Sequence, residues 1–188
     1  MTDITPLRSL RLRTPRLELR LGDRSELEEL ASVASGGIHP PHEMPFAVPW
    51  TDAVGDPRFV EDFVGFHERA LTEWTPASWA LNLLVFADGH PVGTQSVGAE
   101  GFAVARTVHT GSWLGSESQG RGLGTEMRAA VLELAFTGLG ARAARWQRTC
   151  AGTYQQSPRF CGMDAQREWW PGRASGHVVW AVFHRAAP

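Results

Sequence analysis

Gln119-Gly120-Arg121-Gly122-Leu123-Gly124-Thr125 lies between a run of strand-forming residues and an amphipathic helical pattern, and its reading decides the fold. Glycine occupies three alternate positions. Without Cβ atoms the backbone can approach a bound group closely, and the unpaired amides at a helix start point at an anion with the helix dipole behind them. The stretch therefore reads as an anion-binding turn built from main chain. The glycines follow G-x-G-x-G, not G-x-G-x-x-G in a parallel βαβ unit, and no Gly-Lys-Ser/Thr is present. This excludes the dinucleotide fingerprint and the P-loop.

Upstream, Arg106 to Leu114 has the composition of a strand that ends just before the turn. Ser78 to Ala87 and Pro91 to Val97 are two further strands, joined by the hairpin signal Asp88-Gly89, so their pairing is antiparallel. Downstream, Met127, Val131, Leu134, Ala135 and Leu139 recur at helical spacing up to Gly138–Gly140. Nearer the N-terminus, Leu10 to Leu21 alternates as one half-buried strand, and Gly22-Asp23 supplies a turn and a helix cap. Leu27, Leu30, Ala31 and Ala34 continue as a helix stopped by Gly36-Gly37. A second helix is expected to open at Asp56-Pro57, with an apolar stripe of Phe59, Val60, Phe63, Phe66, His67, Ala70, Leu71 and Trp74. Four prolines make Ile38 to Trp50 a loop, and its His39, His42, Glu43 and Trp50 suit the lining of a site. Arg142 to Cys150 and His177 to Phe183 favour strands, and 159–170 has no clear pattern.

The 188 residues suit a single domain, 1–188, with a core that needs neither metal nor disulfide. A net charge of −2 gives no general attraction for nucleic acid or an anionic membrane. All 18 basic residues are arginine, which rules out Schiff-base lysine chemistry. Cys150 and Cys161 read as reduced thiols of a cytoplasmic protein, since the N-terminus has no signal pattern and no apolar run reaches bilayer length. The run His39-x-x-His42-Glu43 has neither the order nor the helical setting of a zinc motif, so no metal is expected.

The glycine-rich stretch resembles the Q/R-x-x-G-x-G/A signature of the GCN5-related N-acetyltransferases (GNAT), with Gln119, Gly122 and Gly124 at the matching positions. Leu12-Arg13-Thr14-Pro15-Arg16-Leu17-Glu18-Leu19-Arg20, Pro91-Val92-Gly93 and Gly111-Ser112-Trp113-Leu114-Gly115 resemble its RimJ/RimL-like branch. The resemblance runs from about residue 10 to 145. It implies an α/β (α+β) fold with a mixed, mostly antiparallel sheet of about six to seven strands, splayed at its middle and flanked by about four helices. It further implies acetyl-CoA as cosubstrate and an amine acceptor, a small molecule or a protein N-terminus, attacked directly without an acyl-enzyme. Trp113, Leu114, Gln119, Gly120, Arg121, Gly122, Leu123, Gly124 and Thr125 would hold the cosubstrate, with the pantetheine arm lying along Thr110 to Gly115.

In that branch the segment after the fifth strand carries the group that protonates the leaving thiolate. Here Tyr154-Gln155-Gln156-Ser157 has Tyr where the branch has Asn, and Arg159-Phe160-Cys161-Gly162-Met163 is shortened. Tyr154 and Cys161 are the two candidates for the acid. Glu43, in the proline-rich loop, would hold or deprotonate the amine. Glu117 and Glu126 flank the turn, where a carboxylate would repel a pyrophosphate, so both are expected to face solvent or cap the helix. Trp50, Trp74, Trp79 and Trp113 either line an acceptor cleft or belong to the core. A homodimer is left open. The rival readings are a non-catalytic acyl-CoA-binding or sensing module, and a transferase of a longer acyl group.

Overall fold

The computed structural model describes residues 4–146 and 180–182. Its centre is one seven-stranded sheet in the order β6-β5-β4-β3-β2-β1-β7. The strands are β1 (Arg11–Arg13), β2 (Leu17–Arg20), β3 (Ser78–Ala87), β4 (His90–Glu100), β5 (Thr107–Leu114), β6 (Ala143–Trp146) and β7 (Trp180–Val182). Every neighbouring pair is antiparallel except β5 and β6, which run parallel. Three helices of more than two turns flank the sheet: α2 (Arg24–Ser35), α3 (Phe59–Thr72) and α5 (Leu123–Glu133). Two single-turn α-helices, α1 (Thr5–Arg8) and α4 (Phe102–Ala105), are also present among the described residues.

The alternation of β3 explains the layering. Leu81, Leu83 and Val85 point to one face and pack with Leu123, Met127, Ala130 and Val131 of α5. Leu84 and Phe86 point to the other and pack with Leu27, Leu30 and Ala31 of α2 and Phe59, Phe63 and Val64 of α3. A strand buried on both faces belongs in the middle of a sheet.

The expected single strand over Leu10–Leu21 is two short strands of a hairpin. Pro15 lacks an N–H and cannot continue a ladder. Thr14 closes the reversal, its amide donating to the Leu17 carbonyl and its hydroxyl accepting from the Leu17 amide, both at 2.9 Å. At the tip of the β3–β4 hairpin Asp88 and Gly89 both take positive φ, 52° and 85°, the two left-handed residues of a type I′ turn.

Helix α3 begins at Phe59, two residues past the expected Pro57. Asp56 caps the preceding turn instead, accepting the Arg58 amide on its side chain at 2.7 Å and the Phe59 amide on its carbonyl at 3.0 Å. The buried stripe of α3 is Phe59, Phe63, Val64 and His67, whereas Val60 and Phe66 are exposed. Helix α5 ends in a widened π-turn, Leu134–Gly138.

Candidate functional site

Strand β5 pairs with β4 from His109 to Leu114, but its described pairing with β6 covers only Thr107 to Thr110. Among the described residues, Gly111 to Leu114 are therefore flanked on one side alone. The chain then turns through Ser116–Ser118 into the glycine-rich stretch and α5. This turn is anchored before it is used. Gly115 donates to the Val92 carbonyl at 2.9 Å, and Ser116 donates to the Gly37 carbonyl at 2.9 Å. Gln119 donates its side-chain amide to the carbonyls of Ile38 and Leu114, both at 2.7 Å. Its main-chain amide is bonded to Ser116, so the oxygen of its side chain is what remains for a ligand.

Beyond Gln119 the backbone opens. Gly120 and Gly122 take φ of 71° and 78°, conformations that a side chain disfavours, and Gly122 is the left-handed N-cap of α5. Among the described residues, the amides of Gly120 to Thr125 have no protein acceptor. Successive free amides at a helix start form a concave nest for an anion. Arg121 and Thr125 are exposed beside it, whereas Leu123 is buried in the core and offers only its amide. An ideal Cβ on Gly124 would meet only Leu114, at 3.8 Å, so internal packing does not require glycine there.

Glu126 does not face solvent as expected. Its side chain is only 17% exposed and reaches across to the β1–β2 hairpin. There it accepts from the Thr14 hydroxyl (2.5 Å), the Arg16 amide (3.0 Å) and the Arg16 Nε (2.7 Å). Burial alone would raise its pKa, but these hydrogen bonds outweigh it and hold the carboxyl below its ordinary range. The same guanidinium donates through Nη1 to the carbonyl of Arg121, at 2.9 Å. Neither Thr14 nor Arg16 stood out as a site residue in the sequence, although both lie in the segment that carries the branch resemblance. Glu117 is exposed, as expected.

On the α5 face of the sheet, Gln95 is fully buried and donates to the Gly111 carbonyl at 3.0 Å. Its Oε1 has no partner among the described residues. Nearby, Arg128 of α5 approaches the Ser112 hydroxyl at 3.5 Å, and burial lowers the pKa of its guanidinium. Polar groups thus collect beneath α5 where β5 loses its described β6 partner.

On the opposite face Trp113 is half-buried, with its ring 5.6 Å from Trp50 and 6.3 Å from Phe63. Phe46 packs on Trp50 at 5.2 Å, and His39 on Phe46 at 5.7 Å. The proline-rich loop is thereby folded against the Trp113 side of β5. His39 is held within that loop by the Thr51 hydroxyl, at 2.8 Å. Glu43 lies in the same loop but is 62% exposed, with His42 Nε2 at 3.7 Å. Trp74 and Trp79 pack against the core on the α5 side of the sheet. Tyr154 and Cys161 lie outside the described residues.

The sequence profile of the acetyltransferase (GNAT) domain matches residues 16–160. Among solved structures, Mycobacterium smegmatis RimJ in complex with CoA-disulfide superposes with a TM-score of 0.58 at 17% identity, covering 79% of this chain and 71% of that one. A Vibrio cholerae protein provisionally named as a ribosomal-protein-serine acetyltransferase gives 0.56 at 19% identity, over 74% of each chain. RimL, a ribosomal L7/L12 α-N-protein acetyltransferase in complex with coenzyme A, gives 0.50 at 19% identity over 66% of each chain. With its profile match extending from β2 to β6 and including the anchored turn and α5, the chain belongs to the GNAT acetyltransferase family, in the fold shared by RimJ and RimL.

Proposed function

We propose that this protein transfers an acetyl group from acetyl-CoA directly to an amine. The observation that carries the reading is the run of unpaired amides from Gly120 to Thr125 at the start of α5, next to a strand end that is flanked on one side only among the described residues. A pyrophosphate fits the first, and an extended amide-bearing arm fits the second, along Gly111 to Leu114 beside Trp113. The family membership and the CoA complexes of RimJ and RimL support the same assignment.

Direct transfer asks the protein to position two reactants and to manage two protons. Glu43 is the proposed base or cation anchor for the amine, because its loop is folded toward Trp113 from the side opposite α5. Tyr154 and Cys161 are the proposed acids for the departing thiolate. The acceptor is a primary amine, either a small molecule or a protein N-terminus.

The test is release of free thiol from acetyl-, propionyl- and succinyl-CoA against a panel of small amines and N-terminal peptides, with CoA binding measured separately. Thiol release that requires an amine and is fastest with acetyl-CoA is expected. Binding with no turnover on any acceptor would assign an acyl-CoA-binding module instead. Absence of CoA binding would overturn the reading altogether.

A further inference from the structure

We infer that Arg16, held by Glu126, is a positioning residue that presets the donor-binding turn from the tip of the β1–β2 hairpin. The inference rests on the acetyl-CoA reading of that turn. Its starting point is the geometry of one peptide unit. In a trans peptide the carbonyl and the following N–H point in opposite directions. The Arg121 carbonyl is drawn toward the Arg16 guanidinium at 2.9 Å. The Gly122 amide on the same plane is therefore turned to the other side, and it has no acceptor among the described residues.

A half-exposed arginine side chain would ordinarily be too mobile to set a peptide plane. Here it is pinned along its length. The Arg16 main-chain amide and Nε both donate to Glu126, at 3.0 and 2.7 Å, and Nη2 lies 2.6 Å from the same carboxylate. The Thr14 hydroxyl donates to Oε1, which also accepts the Arg16 main-chain amide, while the guanidinium engages Oε2, so the carboxylate itself has one orientation. Glu126 is on the first turn of α5, one turn from Gly122, whose carbonyl accepts the Glu126 amide at 3.2 Å. Hairpin, helix and turn form a closed loop of contacts around Gly122. The guanidinium also stands 3.5 Å from where a Gly122 Cβ would be, which places it at the rim of the nest. Because the Glu126 carboxylate offsets its charge, the contribution of Arg16 is to fix amide direction in advance and so cut the ordering cost of binding.

The experiment measures binding of CoA, dephospho-CoA and pantetheine to the whole protein by calorimetry, with pantetheine measured by competition. Wild type is compared with Arg16→Met and Glu126→Gln. CoA and dephospho-CoA should each weaken by about tenfold in Arg16→Met and by several-fold in Glu126→Gln, which keeps the side-chain shape and one acceptor. Pantetheine lacks the pyrophosphate and should bind all three proteins equally. A loss confined to CoA would mean that Arg16 meets the 3′-phosphate directly, and would overturn the inference. An equal loss for pantetheine would show general damage to the fold, and unchanged affinities would show that the turn needs no brace; either overturns it. If wild type binds CoA while the variants behave as wild type, only the brace fails. If wild type itself does not bind CoA, the acetyl-CoA reading fails and takes the brace with it.

Discussion

Gly122 has a φ of 78°, and a β-branched side chain at such a position is a steric outlier. Gly122→Val should therefore rotate the peptide planes that carry the free amides and abolish measurable CoA affinity. Arg121 is exposed beside the same turn, so Arg121→Ala removes a charge that water screens and should cost only several-fold in affinity. Calorimetric titration of CoA into the two folded variants decides between backbone and charge, and normal binding by Gly122→Val would refute the assignment. On the acceptor side, Glu43→Gln should lower kcat/KM for the amine by roughly tenfold near pH 6 and by less near pH 9, where more of the amine is already deprotonated. An unchanged kcat/KM across this range would remove Glu43 from the reaction. The glycine pattern was legible in the sequence because positive φ is a local requirement. The Arg16 to Glu126 contact was not, because it joins residues 110 positions apart and no local pattern links the two.

Helix α2 illustrates what an element reveals before folding. Its start was readable from Gly22-Asp23, and the structure adds Glu26 to make a reciprocal cap: Asp23 accepts the Glu26 amide, and Glu26 accepts the Asp23 amide, both at 2.9 Å. Glu26 also pairs with Arg20 on β2, whose guanidinium stacks over Phe86 at 4.0 Å, so the cap is tied to the sheet. Asp23→Ala should lower the melting temperature by a few degrees, and Asp23→Asn should recover most of the loss, because asparagine caps about as well. Equal melting of the three proteins would show that the tie through Arg20 suffices without the Asp23 side chain. The β3–β4 hairpin was equally legible, from Asp88-Gly89 and long strand-forming runs on either side. The β1–β2 hairpin was missed because Thr14-Pro15-Arg16 carries no glycine. Its reversal depends on the Thr14 hydroxyl accepting the Leu17 amide, a contact that alternation of apolar residues does not register.

At the scale of the molecule, the two-faced sheet follows from Leu83 to Phe86 of β3, four consecutive buried residues that present apolar side chains to both faces, a consequence the sequence reading of Ser78 to Ala87 as a strand did not draw. The sheet order was less accessible, since the parallel return of β6 beside β5 and the placement of β7 beside β1 depend on contacts far apart in the chain. His67 links this packing to pH. It was read as part of an apolar stripe and is indeed buried, with its ring 4.9 Å from Phe63 and no partner for Nδ1 among the described residues. It borders a cavity of about 410 Å3 that Arg8, Asp23, Arg24 and Glu68 also line, yet none of them is hydrogen-bonded to it. Burial pushes the His67 pKa down to about 4, from an ordinary value of 6.5. Above pH 6.5 the imidazole is neutral in both the folded and unfolded chains and stability is independent of it. As pH falls from 6.5 toward 4 the unfolded chain takes up the proton and the folded chain does not. Stability should then decline by up to about 1.4 kcal/mol per pH unit, or about 3 kcal/mol in all. Below pH 4 the term levels off, while the depressed carboxyls of Asp23, Glu26 and Glu126 begin to add their own losses as they protonate. Denaturant unfolding of wild type and His67→Leu from pH 4 to 8 separates the two effects, because only the histidine term disappears in the variant. The difference in stability between the two proteins should be constant above pH 7 and should shift steadily in favour of His67→Leu below pH 6. A difference that does not change with pH would mean that His67 takes up its proton in the folded chain as readily as in the unfolded one, and hence that water reaches Nδ1.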